Sequence, residues 1–545
     1  MAAARPLIHA RPAPGAGVRV HLPFPLVFAG LLALVSLIPY GLAYAVAPAG
    51  HHFAGFFFIA DDATTYLAKM RQGAEGSWTW NDPYTSEAHA GVFLFAFYLL
   101  AGHIAALLHL PLIVMYHVAA VAGAFALVYA IDRLAGSALP AGDRRLGTVL
   151  AVLGSGLGFV VQALGDPSVL GVRLQALDLH LPELSGWYSI LAIPHFAWAT
   201  ALIVFSVLGL RAIAQEPSPR RVLATGAALL GLAAIHPQMV AVIFLVWLAA
   251  RIVLWTWQQR PAWGAVAAEA LAFAIPGPLL AYNAWILYRD PTIAAWASQW
   301  RHQAPDPLSL FLSLGLPLAA ATVAIVAGWR RRDRVTAVLL VWPPLVIVLL
   351  YLPNIANIQR RLLDAVYVPI GLLAAVGLRI VLERLPPRRR RFARRLLVVL
   401  CCFSSVLVLA IALRFASGAF PDIYLTDAQW QAMTWLSAHH QAGDRALSSP
   451  QVGLFLPADS GVSVYVGHYS ETLDYFAKIR QANAILQPAT TPAQFDAFAH
   501  ANGITLLYWG PDERKGRDFD PARQPSLDRI YDGGGVQLYR VTPRR

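Results

Sequence analysis

The chain has 545 residues, 57% of them hydrophobic and only 13% charged, with a mean hydropathy of +0.54. Those values exclude an ordinary soluble domain and point to a polytopic α-helical membrane protein. The formal net charge of +12 sits in short arginine clusters between apolar runs. It therefore reads as a topology signal, and no nucleic-acid partner is expected. The two cysteines, Cys401 and Cys402, are adjacent in an apolar run and build neither a disulfide framework nor a zinc site.

Residues 1–22 carry Arg5, Arg11 and Arg19 and form a tail expected on the cytoplasmic side. The first apolar span, about Pro25 to Ala47, is long enough to cross a ~30 Å core at ~1.5 Å per residue. It lacks a small-residue cleavage site and reads as a signal anchor. Residues 48–110 follow as a first outer loop. Within it, Ile59 to Gly91 gathers Asp61, Asp62, Lys69, Arg71, Glu75, Asp82, Glu87 and His89 among Tyr66, Trp78, Trp80 and Tyr84. The apolar run 91–110 is read as a re-entrant or interfacial helix. Counting it as a span would leave Arg133, Arg144 and Arg145 on the wrong side.

Further spans are predicted at Leu112–Ile131, Leu146–Leu164 and Ile190–Leu210, and as a pair within Val222–Leu254 hinged at His236-Pro237. Others follow at Ala262–Leu287, Leu308–Trp329, Val335–Leu352, Leu363–Val381 and Leu396–Phe415, about eleven in a transmembrane region 23–420. After Phe420 the composition changes. Residues 421–545 alternate short apolar strands (near 446, 462–467 and 504–510, with a closing hairpin through Gly533, Gly534 and Gly535) with helices at Asp427–His440, Glu471–Gln487 and Pro492–Ala501. This predicts an extracytoplasmic α/β domain, large enough at about 120 residues for its own core.

With that topology the polar residues concentrate on one side of the membrane. Asp61 and Asp62 open a short helix in which Asp62 and Tyr66 share a face, as do Thr65 and Lys69. An N-cap needs one carboxylate, so the second is available as a general base or metal ligand. Arg360 and Arg361 suit a phosphate at the membrane surface, with Arg301 as a further cation; a salt bridge to Asp364 is the alternative. His195 and His236 sit beside prolines at span ends, and either a structural or a site role is open to them. His468, Tyr469 and Glu471 follow a strand end, where site residues are common, although Ser470 or Glu471 would also serve as a cap. Glu269 is the nearest thing to a mid-span charge, as a transporter would require. No H-E-x-x-H, C-x-x-C, G-x-S-x-G, P-loop or G-x-G-x-x-G pattern occurs.

IADDATTYLAKMRQG (59–73), PYTSEAHAGVFLFAFYLLAGHIA (83–105) and IQRRLLDAVYVPIGLL (358–373) together resemble the GT-C superfamily of membrane glycosyltransferases. That superfamily includes the protein O-mannosyltransferases and aminoarabinose transferases. The first segment is similar to the one that carries the superfamily's catalytic acid, the second to its loop helix, and the third to the arginine-bearing start of a late span. The α/β tail resembles those of bacterial members. The Lys-Pro-Pro or His-Pro-Pro element of many relatives is replaced here by Glu87-Ala88-His89-Ala90.

The resemblance implies a hexosyl- or pentosyltransferase of the cell envelope. It would move a sugar from a polyprenyl-phosphate donor to a glycan, lipid or protein acceptor at the outer face of the cytoplasmic membrane, with inversion. Asp61 or Asp62 is then the base, Arg360 and Arg361 hold the donor phosphate, and Tyr66, Lys69, Glu87, His89, His195, His236, His468 and Glu471 are possible donor or acceptor contacts. A divalent cation (Mg or Mn) on Asp61 and Asp62 is left open, because two carboxylates alone make a poor cage. The rival is a non-catalytic membrane protein, either a lipid-linked-glycan transporter or an envelope scaffold. A ligase or polymerase would share the same chemistry with a longer donor.

Overall fold

The computed structural model describes residues 23–257, 260, 262–299, 301–352, 358–418, 420 and 423–542. Proline punctuates the helices. Its fixed φ and missing N–H suit a first helical turn, and it starts α1 (Phe24–Ala45) at Pro25. After strand β1 (His51–Phe53) come α2 (Ala60–Ala74), α3 (Ala96–Leu107) and α4 (Leu112–Ala138). Helices α5 (Ala141–Leu153) and α6 (Gly158–Ala163) lead to a small hairpin, β2 (Ser168–Val169) with β3 (Val172–Arg173), and then to α7 (Gly186–Ala192). Pro194 opens α8 (Pro194–Gln215), Pro219 opens α9 (Pro219–Ile235) and Pro237 opens α10 (Pro237–Thr256). The chain continues through α11 (Trp263–Ala274), α12 (Gly277–Arg289), α13 (Pro291–Gln299), α14 (Pro307–Arg331), α15 (Ala337–Leu350), α16 (Tyr367–Leu382), α17 (Pro387–Cys401) and α18 (Phe403–Ala416).

Six stretches of helix are long and apolar enough to cross a membrane: α1, α4, the run Ala141–Ala163, α8, α10 and α14. The bent pairs α11–α12 (42°) and α17–α18 (43°) raise the number to eight among the described residues. Eleven full-length spans are therefore not reached. A helix lies at every predicted position, but α9, α15 and α16 have 17, 14 and 16 residues, short of the ~20 a bilayer asks for. The hinge Pro237 stops α9, and a 3-10 turn, Gln359–Leu363, takes residues that α16 would need. Helix α16 is buried along most of its length, so it packs on protein between α5 and α14. The mid-helix charges are paired: Glu269 lies 3.6 Å from Arg251 Nε, and Asp132 accepts from Arg144 Nε at 3.0 Å.

The predicted loop helix at 91–110 is α3, and it lies on α2. Two glycines make this possible. A Cβ on Gly73 would stand 2.1 Å from the Leu99 carbonyl oxygen, and one on Gly102 would stand 1.9 Å from that of Met70. The two backbones touch, which brings the Tyr98 ring over that of Tyr66 at 4.3 Å.

Beyond α18, strand β4 (Tyr424–Thr426) pairs antiparallel with β1. It joins the end of the helical bundle to the first long loop. Helix α19 (Asp427–His439) opens with a Thr426–Gln429 capping box. A five-stranded mixed sheet follows, ordered β6-β5-β7-β9-β8, from β5 (Arg445–Leu447), β6 (Ser463–Val464), β7 (Leu506–Trp509), β8 (Leu527–Gly533) and β9 (Val536–Val541). Its helices are α20 (Pro450–Asp459), α21 (Tyr475–Ile485) and α22 (Pro492–Ala501). Helix α20 is unanticipated by the sequence, because Pro450 and Pro457 disguise it.

The sheet has two unlike faces. Leu447, Tyr465, Phe495, Leu507 and Trp509 build a core of the region's own. Ala446, Val464, Leu506 and Tyr508 on the other face belong to the large core shared with α2 and the membrane helices. The expectation of an independent core holds for one face only.

Candidate active site

The chain turns into α2 through Ile59, a β-branched residue held at φ +52°, ψ +52°. Such a residue avoids the left-handed region, at a cost of order 1–3 kcal/mol. The strained residue sits two positions before Asp61. Asp61 and Asp62 occupy the first turn of α2, where the helix dipole favours negative charge. Both line a cavity of about 300 Å³ whose walls include Phe57, Ile59, Phe415 and Tyr469.

His468 lies against Asp62. The imidazole is 1% exposed, and its Nδ1 accepts the backbone N–H groups of Ser470 and Glu471, each at 3.2 Å. A ring nitrogen that accepts carries no proton, so in the neutral ring the proton belongs on Nε2. Nε2 stands 3.5 Å from Asp62 Oδ1 and makes no aligned hydrogen bond. Burial pushes the Asp62 carboxyl upward, but His468, with the charges of Arg361 and Lys69, outweighs burial and holds it below its ordinary value.

One turn along α2, on the side of Tyr66, lies a second cavity of about 270 Å³. Its walls are largely apolar, from Phe93 to Tyr98 on the α3 side and from α9, α10, α12 and α13 opposite. Its histidines are His195, His236 and His302, its one charged lining residue among those described is Arg361, and Gln238 and Asn283 add amides. His195 is the second residue of α8 and His236 caps α10, so two helix N-termini with their positive dipole ends meet here. The Tyr98 hydroxyl and His195 Nδ1 share a hydrogen bond of 2.7 Å, and His236 Nδ1 lies 2.7 Å from an Asp364 oxygen.

Arg360 and Arg361 converge on Glu183 Oε1, at 3.3 and 3.1 Å. The alternative partner considered from sequence, Asp364, instead faces His236. Arg360 Nη2 also donates to His302 Nδ1 at 3.1 Å. Burial, with the charges of Arg361 and Arg360, pushes the His302 ring down to about 3, so it is neutral at ordinary pH.

The remaining sequence-proposed contacts divide. Lys69 and Glu471 face each other. They form a buried 3.0 Å ion pair with each other, Trp296 Nε1 donates to Glu471 Oε2 at 2.6 Å, and the Lys69 ammonium lies 4.1 Å from the Phe95 ring centroid. Glu87 is bound by Lys478 at 2.7 Å and by the Thr85 hydroxyl. His89 Nε2 accepts the Asp82 N–H at 2.8 Å, within its own loop. Arg301 is exposed and does not line the apolar cavity; its neighbour His302 does. Glu183 and Tyr98 were not singled out in the sequence. Glu183 is one of three carboxylates in the loop 165–189, with Asp166 and Asp178, and nothing in the local sequence sets it apart.

Among the described residues no group of three or more His, Cys, Asp or Glu side chains converges to hold a metal. The acidic pair with its single histidine does not amount to a cage, and no metal is assigned to it.

A helical bundle with an acidic first loop helix, an arginine-lined apolar cavity and a capping α/β sheet has the fold of the GT-C membrane glycosyltransferases. The oligosaccharyltransferase of Archaeoglobus fulgidus, solved with a tethered acceptor peptide, matches with a TM-score of 0.54 at 11% identity, over 95% of this chain and 74% of that one. The archaeal enzyme AglB in complex with an inhibitory peptide and a dolichol-phosphate matches at 0.51 and 11%, over 95% and 74%. Arabinofuranosyltransferase AftD from Mycobacteria matches at 0.53 and 16%, over 94% of this chain and 40% of its own length. No family model and no curated protein sequence matches the chain. At these identities the likeness is one of fold.

Proposed function

We propose that this protein is a membrane glycosyltransferase that moves a sugar from a polyprenyl-phosphate donor to a hydroxyl acceptor at the outer face of the cytoplasmic membrane. One observation carries the reading: α2 is shared by two unlike cavities. The apolar one ends in Arg361, His302 and the N-termini of α8 and α10. The other has the acidic pair in its wall.

A lipid-linked sugar phosphate needs apolar walls for its chain and cations with helix N-termini for its phosphate. Its acceptor needs a base. Asp62, held ionised, takes the acceptor's hydroxyl proton. The freed oxygen attacks the anomeric carbon, and the bond from that carbon to the phosphate oxygen breaks. Polyprenyl phosphate leaves with the electron pair, its charge met by Arg361. Approach from the acceptor cavity and departure into the donor cavity put entering and leaving groups on opposite faces of the sugar, which inverts it. His468 positions Asp62, and Glu183 holds the two arginines in place.

The fold of AglB, solved with dolichol-phosphate, and of AftD supports a lipid-linked donor. Protein in lipid nanodiscs, offered a panel of radiolabelled polyprenyl-phosphate sugars with a membrane extract as acceptor, is expected to move label from lipid to acceptor. Donor that binds and stays intact across the panel would instead indicate a carrier or scaffold.

A further inference from the structure

We propose that the cavity beside the acidic pair accepts a neutral glycan, so that the acceptor is a sugar hydroxyl. This rests on the transferase reading and adds the substrate class.

Three features of the cavity argue for it. Its volume of about 300 Å³ lies at the lower end of the ~300–1,000 Å³ usual for small-molecule sites, suited to a terminal sugar ring better than to an extended chain. Tyr469 forms one wall, is 60% exposed and lies with its ring stacked on His468 at 5.1 Å. An aromatic face backed by a second ring and open to solvent is a platform for the C–H face of a sugar. Asp61 and Asp62 stand in the same wall as acceptors for hydroxyl donors.

The lining residues also speak to charge. The charged groups in the cavity are the two carboxylates, while Arg361 lies in the wall of the other cavity and Lys69 is consumed by Glu471. A uronic acid or phosphorylated acceptor would meet both carboxylates directly, and no cation stands among the described lining residues. Neutral sugars fit both the aromatic platform and the field.

Saturation-transfer NMR on the protein in nanodiscs tests this. The probes are methyl glycosides of glucose, galactose, mannose and arabinofuranose, a methyl glucuronide, and capped tripeptides bearing serine, threonine or asparagine. At least one neutral glycoside is expected to saturate, to bind roughly three- to tenfold more weakly in Tyr469→Ala, and to recover in Tyr469→Trp. Saturation of the peptides alone, equal binding of the glucuronide, or glycoside binding indifferent to Tyr469→Ala would each overturn the proposal. Tyr469-dependent glycoside binding with no transfer from any lipid-linked donor sinks the transferase reading and leaves the glycan site. Transfer to a peptide without glycoside binding does the reverse.

Discussion

Asp62 and His468 come from residues 406 positions apart in the sequence, and their 3.5 Å approach has a consequence for pH. Asp62 acts as a base only when ionised, and its carboxyl is held below the ordinary value. Activity should therefore persist as pH falls through the usual carboxylate range near ~3.9 and fail only below it. Replacing His468 with Gln removes the strongest of the influences that hold it down, so the acid limb of the kcat profile should move to higher pH. An unchanged limb would show that His468 only fills space. The same sign holds for stability: this carboxylate's contribution is present above the unfolded value and is lost as pH falls through the folded one. Arg361 makes the second residue-scale prediction. In Arg361→Gln the donor KM should rise by about tenfold or more, since a charge-assisted contact is worth ~1.5–3 kcal/mol; an unchanged KM would place the phosphate elsewhere. The acidic pair was legible in the sequence because two charges in succession stand out against apolar surroundings. Glu183 was not, since one carboxylate among three in its loop gives no sign that two arginines 177 and 178 residues away will close on it.

Helix α2 is fixed by two different devices, and each can be broken separately. Gly102 lets α3 touch its backbone, and a Cβ there would meet a carbonyl oxygen at 1.9 Å. Gly102→Val should therefore lower the melting temperature and abolish activity, as read by thermal unfolding in detergent, because backbone cannot rotate aside as a side chain can. The Lys69–Glu471 pair is the other device. Both partners are buried, so Lys69→Met alone strands a carboxylate and should cost about 3–5 kcal/mol. The double variant Lys69→Met, Glu471→Leu should recover much of that loss. Equal melting temperatures in single and double variants would contradict the pairing. From sequence these residues are possible substrate contacts, since a lysine two turns from an acidic pair is ambiguous until its partner is known. Element positions were largely legible, because hydropathy and proline set them. The lengths of α9, α15 and α16 were not: those helices are embedded among others, and the ~20-residue rule describes helices that face lipid alone.

At the scale of the whole molecule, the shared position of α2 is what makes a bundle and a sheet into one candidate enzyme. The bundle supplies the apolar cavity, while the sheet region supplies Tyr469 to the wall of the other and His468 behind Asp62. Strand pairing of β1 with β4 and the shared core on one sheet face tie the two together. The sequence showed a compositional break near residue 420 and suggested an appended domain. Long-range pairing of a three-residue strand carries too little local pattern to be read in advance. The fold class, by contrast, followed from the apolar runs and the short acidic and arginine-bearing segments. The measurement that bears most directly on the central claim is transfer of label from a polyprenyl-phosphate sugar by wild type, Asp61→Asn and Asp62→Asn, run side by side in nanodiscs. The account predicts that Asp62→Asn loses roughly 10²–10⁴-fold in kcat while still binding donor, with a smaller loss in Asp61→Asn. Wild-type transfer by Asp62→Asn would contradict it.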